Sequence, residues 1–323
     1  MRIFVLFFVF LHIFCMALEK YTANIIINFS LDGFYTGRID NKLFLARNLF
    51  SDNNIVLVPN IYDFSEGIYI NKISDSEYFL ISNTNGFGSV YSMLVTFFSK
   101  DFVVMESNIF STYYSYNILK VYENYEQSDR EFFLIGLINN FFDFDIVLSK
   151  YDLKNVENSI RLGTNFVDYP IYFSENETKK FRGYILLSIL EKNNYRDFND
   201  LKLTMDTKRF NSDSILVCFF NSNMKIEKYF VLRFPNNVVD YSIIQKSMDS
   251  VLLRVDFIDR ISGYYITNNF VHIDFDNVYV VDHKYSGFDR FYVDNFVNLR
   301  FNPINFSKSR VNLVFNRVIL RKR

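Results

Sequence analysis

Apolar residues in this chain recur in short runs bounded by polar turn residues, and almost never at the spacing of a helix face. The runs are rich in β-branched and aromatic residues. Examples are "NIVLVP" (54–59), "GIYINKI" (67–73), "EYFLIS" (77–82), "DFVVME" (101–106) and "EFFLIGLI" (131–138). Beyond residue 183 the pattern continues in "YILLSIL" (184–190), "SILVCFF" (214–220), "YFVLRF" (229–234), "SVLLRVDF" (250–257) and "VYVVDH" (278–283). Such runs predict an all-β protein. Only 10 glycines and 4 prolines are present, so Asn, Asp and Ser must carry most of the turns. Half the residues are apolar and 19% are aromatic, which supplies ample material for a core.

A chain of 323 residues exceeds what one core usually organises and predicts two domains. The net charge of -1 argues against a nucleic-acid partner. Residues 1–17 read as a signal peptide: Arg2 is the positive start, Ile3 to Phe14 the apolar stretch, and Ala17 the last residue before cleavage. That stretch is shorter than the roughly 20 residues a membrane-spanning helix needs, so no span is expected after cleavage. The competing reading is a lipoprotein with Cys15 lipidated, but Phe14 is bulky for the position before such a cysteine. Cleavage leaves Cys218 alone, which excludes an intramolecular disulfide. Three glycosylation triplets, at Asn28, Asn176 and Asn305, are compatible with export.

The polar segment 173–183 has no apolar run and reads as a linker, dividing residues 18–172 from a β-rich domain of unknown fold at 184–323. Before it the chain repeats weakly. Aromatic pairs at Phe34-Tyr35, Tyr78-Phe79 and Phe132-Phe133 open three units. Turn residues and an apolar pair follow in the first two, at Leu43-Phe44 and Val90-Tyr91. A spacing of about 40–55 residues is one at which repeats define an architecture. Three units of four short strands predict a β-trefoil over 18–172, whereas more units would indicate a propeller.

The second unit reads "GSVYSMLVTFFSKDFVVMESNIFSTY" (88–113). Gly88, Ser92, Asp101, Glu106 and Tyr113 stand at the spacing of the signature of the fibroblast growth factors, a β-trefoil family. The resemblance extends from about Ile27 to Asn140. Val90 and Phe102 depart from it, as core replacements, and one spacer is a residue longer. The resemblance implies a secreted ligand that binds a receptor tyrosine kinase ectodomain without enzymatic activity. It also implies that Glu106 and Tyr113 contact the receptor, with Tyr114 in place of the usual Asn and Phe29 near the first-strand aromatic. Without the motif, Glu106 is simply a strand-end acid and the tyrosines fill a hairpin. An Asn-, Phe-, Tyr- and Ile-rich composition suits the AT-rich genome of an insect virus, and such viruses encode ligands of this family.

The family also implies heparan sulfate binding through a basic third repeat. Here Ile138 and Asn139 stand where lysines are expected, and Asp143 and Asp145 follow. Asn140 alone keeps a polar contact, so glycosaminoglycan binding is expected to be weak or absent. The basic end "NRVILRKR" (316–323) reads as a solvated tail. His272 and His283 lack metal-ligand spacing, and Cys218 sits in an apolar run, so neither a cofactor nor a metal is expected. Asp274 and Asp276 would share a strand face while Asp256 and Asp259 would not, a thin basis for a hydrolase. A carbohydrate-binding trefoil or adhesin is the alternative, though the chain has no Trp to stack on sugar. A secreted β-propeller or hydrolase is the third.

Overall fold

Short apolar runs bounded by polar turns build strands throughout, the inner ones buried nearly end to end as at 78–84 and 132–138, and no helix occurs among the described residues. The computed structural model describes residues 25–31, 33–39, 42–47, 55–57, 64–85, 91–124, 131–139, 144–164, 167–191, 212–258, 266–281, 292–294, 299–313 and 315–318. The expected signal peptide, with Cys15, lies outside them, as do Gly88, Val90, Asn140, Asp259 and His283.

The strands follow one another as antiparallel meanders. The first is β1 (Ile25–Leu31), β2 (Phe34–Ile39), β3 (Lys42–Arg47) and β4 (Ile55–Leu57). The second is β5 (Ser65–Lys72), β6 (Glu77–Asn85), β7 (Tyr91–Ser99) and β8 (Val104–Ser111). The third is β9 (Tyr116–Asn124), β10 (Glu131–Asn139), β11 (Phe144–Tyr151) and β12 (Val156–Gly163). The fourth is β13 (Val167–Glu177), β14 (Arg182–Glu191), β15 (Ser212–Asn221) and β16 (Ile226–Lys246). The 21-residue β16 carries this sheet onward into β17 (Ser250–Ile258), β18 (Ile266–Asp274) and β19 (Val278–Val280).

The chain then retraces its path. β20 (Tyr292–Asp294) pairs with β16, β21 (Arg300–Pro303) with β12, β22 (Ser307–Arg310) with β8, and β23 (Asn316–Val318) with β4. This return segment adds an outer strand to the fourth, third, second and first meanders in that order.

The expected trefoil followed by a second domain does not emerge from this pairing. The first three meanders keep their strands in separate sheets, and a fourth follows from Val167 onward. The aromatic pairs do mark repeats, since each lies at the start of the second strand of its meander. The segment 173–183 is a hairpin rather than a linker, with Phe173 to Glu177 in β13 and Arg182 opening β14. Its polarity comes from an exposed turn, where Lys179 and Lys180 face solvent. Two compact units divide the chain elsewhere: residues 1–120 with 306–323, and residues 121–305.

Side-chain oxygens organise the turns, as the glycine shortage demands. Asp152 Oδ1 accepts from the N–H of Lys154 and Asn155, Thr178 Oγ1 from Lys180 and Phe181, and Asn221 Oδ1 from Asn223 and Lys225. The β7–β8 and β15–β16 turns place Phe102 (φ 64°) and Met224 (φ 62°) in the left-handed region where glycine is usual. Both side chains compensate by packing inward. Phe102 lies 5.7 Å from the Phe34 ring and 6.5 Å from Phe98, and Met224 is buried.

In the first unit, Phe34, Leu43 and Leu45 of the first sheet share a core with Ile70, Tyr78, Leu80, Leu94 and Phe98 of the second. Leu313 completes it from the return segment, with Val311 and Phe315 packed alongside. Asn83 on β6 is buried and imitates a strand neighbour: its Oδ1 accepts from Ile118 N–H and its Nδ2 donates to Ile118 O, both at 2.8 Å. Asn83→Leu keeps the branched shape, with two bulkier methyl groups, but orphans both backbone groups. It is expected to cost about 3 kcal/mol in urea unfolding, from about 1–3 kcal/mol per unsatisfied buried group.

In the second unit, Phe133, Phe173 and Tyr184 form an aromatic cluster, with Phe133 and Tyr184 at 4.4 Å. Asp145 is fully buried between two guanidinium groups. Arg161 reaches Oδ2 through Nε and Nη2, and Arg300 Nη2 lies 3.2 Å from Oδ1 and also donates to Thr164 O. Gly163 admits this carboxylate, because a Cβ there would meet Asp145 Oδ1 at 2.0 Å.

Candidate functional site

Glu106 interrupts the apolar run of β8 because the strand bulges. Phe98 pairs with Val104 and Phe97 with Glu106, leaving Met105 as the extra residue. The bulge puts both Met105 and Glu106 at the surface, which strict alternation forbids. Glu106 Oε1 accepts from Asn108 Nδ2 at 2.8 Å, so the carboxylate is oriented while its surface stays open. From Ser107 to Phe110 the strand turns inward and is buried.

The connection after β8 carries the tyrosines. Tyr113 is 87% exposed, and Tyr114 is half-buried with its ring perpendicular to Tyr113 at 5.3 Å. Thr112 fixes the connection, donating through Oγ1 to Tyr114 O at 2.7 Å and accepting from Tyr114 N–H at 3.1 Å. Val103, Met105 and Tyr113 are three of the nine exposed large apolar side chains among the described residues, so the stretch is enriched in them. Sequence reasoning missed Val103 and Met105. The run Val103-Val104-Met105 carries no signal of this, because longer apolar runs such as 132–138 are buried throughout.

The other expected residues are placed differently. Phe29 on β1 packs against the core, its ring 4.6 Å from Tyr69, so it is not grouped with the tyrosines. Asn28 is the bulged residue of β1, and its Nδ2 donates to Glu66 Oε1 at 2.9 Å and Gly67 O at 2.7 Å. Asn176 is buried to 1% exposure with neither amide atom hydrogen-bonded, whereas Asn305 is exposed. Asn140 lies outside the described residues.

Glu106 and Tyr113 are seven residues apart along an extended chain, on the order of 20 Å. They cannot line one small-molecule pocket, but both fit within a protein-sized footprint. Asp274 and Asp276, the candidate acid pair for a hydrolase, serve a turn. Asp274 Oδ1 accepts from Asp276 and Asn277 N–H, and Asp276 pairs with Lys180 at 3.2 Å. Asp256 is buried against Arg254 at 2.8 Å. Burial, reinforced by the nearby Asp168 carboxylate, pushes the Cys218 thiol far above its ordinary range, so it is inert in the folded chain. Among the described residues no group of three His, Cys, Asp or Glu side chains converges as metal ligands would, and no helix is long and apolar enough to cross a membrane. Comparison with known protein families, characterised proteins and solved structures finds no match.

Proposed function

We propose that this chain is a secreted, non-enzymatic ligand that docks on another protein through the exposed part of β8 and the 112–115 connection. The carrying observation is the exposure of Val103 and Met105 next to the oriented carboxylate of Glu106, with Tyr113 exposed further along the same stretch. Aromatic and methionine side chains anchor protein interfaces, and a carboxylate among them supplies directionality. The partner class is a receptor tyrosine kinase ectodomain. That assignment rests on the growth-factor-like spacing of Glu106 and Tyr113 alone, because the strand pairing does not supply the family's trefoil. Tyr114 would buttress Tyr113, and Phe29 would act only through the core.

Weak or absent heparan sulfate binding fits the third meander, where Asp145 is engaged by two arginines and Lys150 pairs with Glu131 at 2.5 Å. The adhesin alternative draws on the Tyr113–Tyr114 pair as a stacking surface for sugar, presented on a repeat-built β scaffold.

Glu106→Ala combined with Tyr113→Ala is expected to abolish binding to the receptor ectodomain in surface plasmon resonance. The chain should stay folded, its unfolding free energy falling by about 1–3 kcal/mol because the buried Asn108 amide loses its acceptor. Unchanged binding would defeat the docking surface. Selective hits on a glycan array, with no receptor binding, would favour the adhesin.

A further inference from the structure

The three glycosylation triplets have different fates in this fold. Asn28 spends both amide hydrogens on Glu66 and Gly67, and it sits half-buried on the β1 bulge. A glycosylated amide keeps one N–H, so one of these bonds would be lost and the sugar would have to enter the space beside β5. Asn176 is a stricter case. It faces Gly183 in the β13–β14 register, is 1% exposed, and precedes a turn whose backbone N–H groups are held by Thr178 Oγ1. Close-packed interiors hold few voids larger than a water, so an oligosaccharide has no place there. Asn305 lies exposed between β21 and β22.

We infer that Asn305 is the N-glycosylation site of the folded protein, and that folded molecules carry no glycan at Asn28 or Asn176. The inference rests on the secretory reading above. The donor is an oligosaccharide linked through pyrophosphate to a lipid. Asn305 Nδ2 bonds to the anomeric carbon, the bond from that carbon to the pyrophosphate oxygen breaks, the lipid pyrophosphate departs, and one amide proton is lost to base. Transfer precedes folding, so all three triplets meet the transferase, and folding then selects. Chains modified at Asn176 cannot close the β13–β14 hairpin, whereas chains modified at Asn305 fold normally.

The position also bears on the docking surface. Asn305 immediately precedes Phe306, whose ring meets Tyr116 at 5.1 Å, and Ser307 Oγ lies 2.9 Å from Ser111 Oγ. The residues following the glycan are thus packed on both ends of the connection that carries Tyr113 and Tyr114.

The test is a glycopeptide map of the full chain made in eukaryotic cells, with sites marked by enzymatic deglycosylation in heavy-oxygen water. One arm keeps residues 1–17 and the other carries an unrelated signal peptide. The exported, folded fraction should be occupied at Asn305 and empty at Asn28 and Asn176, with Asn176-modified chains confined to the retained fraction. Thr178→Asp, which removes the triplet but keeps an acceptor for the turn, should eliminate those retained glycoforms. Occupancy of Asn176 or Asn28 in the folded fraction, or an empty Asn305, overturns the inference. Export in the second arm alone would defeat the secretory reading and still decide the site.

Discussion

Deletion of residues 300–323 is expected to leave a chain whose first unit no longer unfolds as a cooperative whole. The segment contributes β21, β22 and β23, each closing the edge of a different meander, and it carries Leu313 into the shared core of the first two sheets. Full burial of a leucine is worth about 1.5–3 kcal/mol, and the half-buried Val311 and Phe315 add smaller amounts. Each strand hydrogen bond adds about 1 kcal/mol net. Together these approach the 5–15 kcal/mol that holds a typical domain. Loss of the sigmoidal thermal transition, with rapid proteolysis within residues 25–111, is the expected readout. A synthetic peptide spanning 299–323, added in trans, should restore the transition. A truncated chain that melts like the parent would show the segment to be decoration, and Leu313→Ala, at about 2–4 kcal/mol, provides the graded control.

The second large effect centres on Asp145. Asp145→Ala leaves the Arg161 and Arg300 guanidinium groups without their carboxylate in a largely enclosed site, since their side chains are 12% and 37% exposed. Removing one partner of a buried charge pair costs about 3–5 kcal/mol, because the remaining charge stays desolvated. The urea midpoint should fall accordingly. Arg300→Ala should cost less, because Arg161 continues to neutralise the carboxylate and Arg300 is the more exposed partner. The two substitutions should be non-additive, as they share one network. A cost below about 1 kcal/mol for Asp145→Ala would mean that water reaches and satisfies the two guanidinium groups once the carboxylate is gone.

Much of the architecture was legible in residue patterns. Short apolar runs bounded by polar residues specified strands, and the scarcity of glycine specified side-chain-capped turns such as those at Asp152 and Asn221. The aromatic pairs were true repeat markers, because each opens a second strand whose neighbours on both sides are within its own sheet. The count failed at 173–183, where charged residues on an exposed hairpin resembled a linker while Asn176 between them was buried. Sequence cannot show that a polar residue faces inward when no partner identifies it. The return pairings were equally hidden: Ser307-Lys308-Ser309-Arg310 has no strand-like alternation and is held by backbone bonds to Asn108 through Ser111. At the candidate site, the spacing of Glu106 and Tyr113 was readable, but the bulge at Met105 that exposes the acid depends on register with β7.

The retracing path has a temporal consequence. A nascent chain can complete each four-strand meander soon after its last strand leaves the ribosome, but β12, β8 and β4 must then wait for residues 300–318 to be translated. The earliest-made edge, at Ile55–Leu57, receives its partner last. During that interval three open strand edges are available for pairing with other chains, which is the usual route to aggregation. Slow elongation should therefore lower the yield of soluble protein, while faster delivery of the closing strands should raise it.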